Sequence, residues 1–143
     1  MQRVNLAAMI AYVREQRDGV VATVGADGAP QAAYLELTAT DRGEVVFDAR
    51  AVSRKIANIG HDARVAVVVG GRDGTTLQYE GRADLPEGAE RARCTAAYVA
   101  AFPHYEPSMS DPSVVVVRIT PVWARHGDYR GRTPVVSDVD LTG

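Results

Sequence analysis

The sequence predicts a mainly β, α+β fold: about six antiparallel strands in a small closed or split barrel, with about three peripheral helices. Three observations carry that expectation. Apolar, β-branched runs recur along the chain and are joined mostly by hairpin-type turns. Helical patterns interrupt them rarely, unlike the strand–helix alternation of a doubly wound sheet. The runs are also rich in valine, and barrel formation hides the edges of such strands.

The elements follow in order. From Arg3 to Arg17, apolar Val4, Leu6, Met9, Ile10 and Val13 sit at helical spacing, and Asp18-Gly19 supplies a glycine stop. Val20–Val24 reads as a strand. Asp27-Gly28 after it is a hairpin signal, and Gln31–Thr40 returns with period-two alternation. A turn at Asp41-Arg42-Gly43 leads to the strand Glu44–Asp48. Ala51–Gly60 is a short helix with Ser53 at its start and a glycine at its end. Arg64–Val69 is apolar on both faces and reads as a buried strand. Gly70–Gly74 is a turn cluster, and Thr75–Asp84 another strand. Pro86-Glu87 opens an alanine-rich helix through about Ala101. Three prolines make 103–112 a loop, and Ser113–Arg125 is a long final strand. The expected organisation is one domain over residues 1–130 and a tail over 131–143 whose weak periodicity points to partial disorder.

Composition narrows the function classes. The chain has 143 residues, 46% of them hydrophobic and 24% charged, with a net charge of -2. Those values fit one globular domain. No apolar run approaches the ~20 residues of a membrane span. The first residues lack the layout of a secretory signal, so a cytoplasmic protein without a membrane partner is expected. Acidic and basic residues alternate along the chain, whereas nucleic-acid binders carry a basic excess, so no nucleic-acid partner is expected. Cys94 is the lone cysteine, which excludes an internal disulfide or a multi-cysteine metal site. Of 16 lysines and arginines, only Lys55 is lysine.

No nucleophile elbow, Walker loop or His-Glu-x-x-His pair is present. His61, His104 and His126 fall on or beside loops without an i,i+4 partner, so no metal site is expected. Trp123 reads as a core or interface residue, and Cys94 as a small buried thiol. One stretch stands out. Ser53-Arg54-Lys55 opens a helix directly after a strand, where cations oppose the positive end of the helix dipole. An anion there would be met by a guanidinium fork, an ammonium, a hydroxyl and free backbone N–H groups. Residue types alone leave open a solvated basic pair on a surface helix.

With these residues in view, the chain resembles the pyridoxamine 5′-phosphate oxidase-like family, the FMN-binding split β-barrels. The matching pieces are Gly19–Val24, Asp27–Gln31, Val45–Asp48, Ser53–Ile59 with Asp62–Val67, Glu80–Ala83 and Arg118–Pro121. Each is weak alone, and their order and spacing make the match specific.

The resemblance implies a six-stranded split barrel that forms a homodimer with two flavin sites at the subunit interface. It places Ser53, Arg54 and Lys55 on the FMN phosphate. Ala33, Tyr34, Leu35 and Glu36, in the stretch running to Leu37, would lie beside the isoalloxazine ring. Phe47, Asp48 and Ala49 would border the phosphate and ribityl chain, with Thr76 on the adjacent strand. Trp123 and Arg125 are the candidates from the second subunit. The activity implied is a flavin-dependent oxidoreductase acting on a small molecule. The alternatives are a deazaflavin (coenzyme F-420)-dependent reductase and a flavin-binding or sensing protein without turnover. Vitamin B6 oxidases carry arginine where Ala33 stands and an Arg-x-His element that Trp123–Asp128 does not reproduce, which points away from pyridoxamine 5′-phosphate as substrate.

Overall fold

The computed structural model describes residues 4–143. Its elements are β1 (Val4–Asn5), α1 (Leu6–Gln16), β2 (Asp18–Val24), β3 (Pro30–Glu36), β4 (Thr38–Ala39), β5 (Val45–Arg50), α2 (Arg54–His61), β6 (Arg64–Gly70), β7 (Thr75–Asp84), α3 (Gly88–Ala101), a 3-10 segment (Pro103–Ser110), β8 (Val114–Asp128) and β9 (Val135–Asp140). All six expected strands and all three helices are present. Arg3, where the first helix was expected to begin, lies outside the described residues.

Local chemistry sets the boundaries. Asn5 caps α1 by accepting from the Ala8 amide at 2.8 Å. The helix ends earlier than its glycine signal suggests, because Arg17 itself takes the left-handed conformation at φ 70°. The Leu37 amide donates to its carbonyl at 3.0 Å, and its guanidinium lies 4.7 Å from the centre of the Phe102 ring. Tertiary contacts thus compensate a backbone that glycine would adopt more freely. In the β2–β3 hairpin Gly28 has φ 84°, and Asp27 Oδ1 accepts from the Ala29 amide at 3.0 Å. The expected return strand 31–40 divides at Leu37. Its first part pairs with β2, and Thr38 and Ala39 pair with β5.

That change of partner opens the barrel. The sheet runs β1-β9-β8-β7-β6-β2-β3, and β5 joins it by pairing with the first part of β8. β3 is therefore an edge strand, and among the described residues no ladder joins it to β5: the barrel is split. β8 supports the arrangement by pairing with β7 over 118–128, with β5 over 114–119 and with β9 over 125–128. The core is fully apolar around Val13, Leu37, Val45, Phe47, Val69, Leu77, Val117 and Ile119. Tyr79 is buried with them, and its hydroxyl reaches the Gly43 and Ile119 carbonyls, each at 2.9 Å.

Three outcomes differ from the sequence pattern. The stretch 103–112, expected as loop, carries 3-10 turns. The tail holds β9, which pairs antiparallel with β8 and parallel with β1. β6 is not buried on both faces: Val65, Val67 and Val69 point inward while Ala66 and Val68 are exposed. Val68 belongs to an uncovered apolar row, since it pairs with Val20, which pairs in turn with Tyr34. Among the described residues no helix is long and apolar enough to cross a membrane.

Candidate functional site

β5 ends at Arg50 and the chain turns once before α2 begins at Arg54. The first turn of a helix leaves backbone N–H groups without intrahelical partners and carries the positive end of the dipole. No acidic residue stands in that turn of α2. Ser53 occupies the N-cap position, yet its side chain makes no capping bond. Its Oγ is buried without a hydrogen-bond partner, the one such side-chain atom among the described residues. Among them, Arg54 and Lys55 form no ion pair either. A buried hydroxyl left unpaired costs about 1–3 kcal/mol, and cations at a helix start cost more. An anion held there would relieve both.

Arg54 and Lys55 line a pocket of about 190 Å³ with Val21, Thr23, Gln31, Ala32 and Ala33. It lies between the start of α2 and the β2–β3 hairpin. Its polar side chains are Thr23, Gln31, Arg54 and Lys55, with no carboxylate. A larger cleft of about 690 Å³ shares Thr23 in its lining and takes the rest of its β2 lining from Ala22 and Val24, on the other face of that strand. That cleft is lined mainly by Ala22, Val24, Val65, Ala66 and Val122, with Arg64, Glu80 and Arg82 at its charged part. Its volume suits a small organic ligand. Arg64 is held by Asp62 at 2.7 Å.

The structure brings together some of the expected site residues and separates others. Ala33, Arg54 and Lys55 share the small pocket, and Ser53 lies beside them in sequence at the cap. Leu35 packs against the core, Phe47 is fully buried in it and Ala49 is buried next to it. Tyr34 is 61% exposed on the opposite face of β3, where its hydroxyl accepts from Arg72. Glu36 and Asp48 are capped by tyrosines. Tyr105 donates to Glu36 Oε1 at 2.6 Å, Tyr98 donates to Asp48 Oδ1 at 2.8 Å, and the two rings stack at 5.6 Å. Burial and the bond to Asp48 push the Tyr98 hydroxyl above its ordinary range, and the bond to Glu36 raises that of Tyr105. Both therefore remain donors. Thr76 sits on β7 opposite Gly70 and Gly127. Trp123 and Arg125 lie on β8, separated from β3 by β7, β6 and β2. The Arg125 guanidinium lies 5.2 Å from the Trp123 ring centre and is paired to Asp138 at 2.7 Å.

Sequence reasoning missed Thr23, Gln31 and Asn58, and the whole lining of the larger cleft. A signal existed for two of them: Thr23 interrupts the apolar face of a strand, and Asn58 sits between Ile56 and Ile59 on a short helix. Nothing local marks Gln31.

The family model described as pyridoxamine 5′-phosphate oxidase matches residues 6–126. No curated protein sequence matches the chain. Among solved structures, the chain is similar to a heme-binding protein from Mycobacterium smegmatis, with a TM-score of 0.80 and 19% identity over 99% of this chain and 60% of that one. The chain thus spans less than two thirds of that protein. A conserved hypothetical protein from Mycobacterium tuberculosis matches with a TM-score of 0.72 and 26% identity, over 87% of this chain and 84% of that one. General Stress Protein 26 from Bacillus anthracis matches at 0.68 and 24%, over 85% and 92%. At these identities the heme-binding protein and the stress protein speak for the fold alone.

Proposed function

The chain belongs to the pyridoxamine 5′-phosphate oxidase family, and from that premise we propose that it is a cytoplasmic, FMN-dependent oxidoreductase acting on a small molecule. The observation that carries this reading is the start of α2, where the buried Ser53 hydroxyl stands beside two cations and, among the described residues, has no hydrogen-bond partner and they no counter-charge. A phosphate monoester fits that donor set: Arg54 offers a fork, Lys55 a point charge, and Ser53 and the backbone the remaining donors. Bound flavin supplies hydride and electron transfer, and the protein supplies its placement. Ser53, Arg54 and Lys55 hold the phosphate, and β3 lines the groove that runs away from it. The larger cleft, apolar apart from Arg64, Glu80 and Arg82 as its charged residues, receives the organic partner.

The site is shared between two copies. Val20, Tyr34, Val68 and Val122 leave apolar surface open on the outer sheet face, with Val122 62% exposed. A second copy covers such a face. Trp123 and Arg125, remote from β3 within one chain, reach the groove of the other copy.

The absorption spectrum of the purified protein, followed by titration with FMN and with the deazaflavin, tests the assignment. A two-band spectrum supports FMN, a single violet band moves the assignment to the deazaflavin, and a Soret-type band moves it to heme. Arg54→Ala and Lys55→Ala should each weaken cofactor binding by about 1.5–3 kcal/mol, the worth of a charge-assisted hydrogen bond. Unchanged affinity in both variants overturns the site. Reduction of the holoprotein by NADH or NADPH separates an oxidoreductase from a flavin-binding protein without turnover.

A further inference from the structure

We infer that Asn58 is a positioning residue that makes the α2 pocket selective for anions, and that Gln31 and Thr23 are the ligand contacts it sets. This rests on reading that pocket as a phosphate site. Asn58 lies on α2 four residues after Arg54 and three after Lys55, and is 6% exposed. Asparagine is a poor helix former, and a buried amide is costly unless bonded. Here it is bonded twice through the same nitrogen. Nδ2 donates to Thr23 Oγ1 at 3.0 Å and to Gln31 Oε1 at 2.7 Å. Thr23 and Gln31 are register partners across the β2–β3 hairpin, so a single helical amide grips both polar side chains of that cross-strand pair.

The consequence is chemical. An amide nitrogen only donates, so each partner turns its acceptor oxygen toward Asn58, with one lone pair engaged there. Gln31 is left with Nε2, which has no partner among the described residues. Thr23 is left with its hydroxyl hydrogen. Both residues line the pocket that Arg54 and Lys55 line. Every polar side chain bordering it thus has a donor to offer, and the acceptor oxygens of Thr23 and Gln31 are turned toward Asn58. Such a pocket matches an all-acceptor group, a phosphate monoester above all, and disfavours a neutral hydroxyl, which needs an acceptor for its own proton. Asn58 contributes to selectivity without touching the ligand.

The test is the affinity ratio for FMN over riboflavin, which differ by the phosphate, measured by fluorescence titration alongside thermal denaturation. Asn58→Asp replaces the donor with an acceptor. Gln31 must then turn Nε2 toward it, and Oε1 faces the pocket. Gln31→Glu places a carboxylate oxygen there directly, on a partly exposed side chain that the fold tolerates. Each variant should lower the FMN-to-riboflavin ratio about tenfold or more while riboflavin affinity changes less than about threefold. Thr23→Ser, which keeps the hydroxyl, should preserve the ratio. If Asn58→Asp fails to fold, Gln31→Glu with Thr23→Val decides. A ratio that survives in the folded variants while Arg54→Ala collapses it overturns the role of Asn58 and leaves the phosphate site standing. Wild-type protein that binds FMN no more tightly than riboflavin overturns both.

Discussion

Two helices flank the split and handle their cations in opposite ways. At α3, Arg93 holds Glu44 through Nη1 at 2.7 Å and Nη2 at 3.0 Å, and also reaches Glu90 at 3.0 Å. Arg118, from β8, engages Asp84 at 2.6 Å and Glu90 at 2.8 Å. Glu44, 6% exposed, also accepts from Thr40 at 2.7 Å. Every charge in that cluster is answered within the chain. At α2, Arg54, Lys55 and the Ser53 hydroxyl have no such answer among the described residues. Where charge is neutralised internally its work is to fasten helix to sheet. Where it stands unneutralised beside a pocket, folding tolerates an electrostatic cost that a ligand removes. Counting arginines does not separate the two, whereas counting their partners does.

Breaking the α3 side should have the largest effect. Glu44→Ala leaves Arg93 and Arg118 without their buried acceptor, and should cost about 3 kcal/mol of unfolding free energy. Urea denaturation measures it, and FMN affinity should not move. A loss below about 1 kcal/mol would place this cluster with exposed ion pairs and erase the contrast.

Acid probes the same side more gently. Burial pushes the Glu44 carboxyl up, but the bonds from Arg93 and Thr40 outweigh it and hold it below the ordinary range. Glu90 is pulled down to about 2, chiefly by Arg93. A group with a lowered folded pKa lends stability above its unfolded pKa and loses it as pH falls through the folded value. The urea midpoint should therefore drop between about pH 4, near the ordinary glutamate value, and pH 2. Arg93→Met should flatten that drop, and an equally steep drop would mean other carboxylates carry it.

The smallest effect belongs to α2. Ser53→Ala removes a hydroxyl that has no partner, so the protein without ligand should change by less than about 0.5 kcal/mol. FMN affinity should fall by about 1 kcal/mol. Thermal denaturation with and without ligand reads both, and a destabilised ligand-free protein would show that Ser53 caps the helix after all.

Much of this contrast is written locally. Apolar β-branched runs announced six strands, Asp27-Gly28 announced a hairpin, and Ser53-Arg54-Lys55 announced a cationic helix start, because strand pattern and capping are decided by neighbours a few residues apart. The split itself is not local. It arises because the chain changes partner at Leu37 and because one long strand, β8, serves β5, β7 and β9 together. β9 escaped the pattern for the same reason: its pairing to β8 and β1 gives it a place that its own residues do not advertise. Asn58 meets Thr23 across 35 residues and Gln31 across 27. Hydrophobic periodicity tells which face of an element is buried; which elements then meet, and which polar groups lose or keep their partners there, depends on packing the whole chain at once.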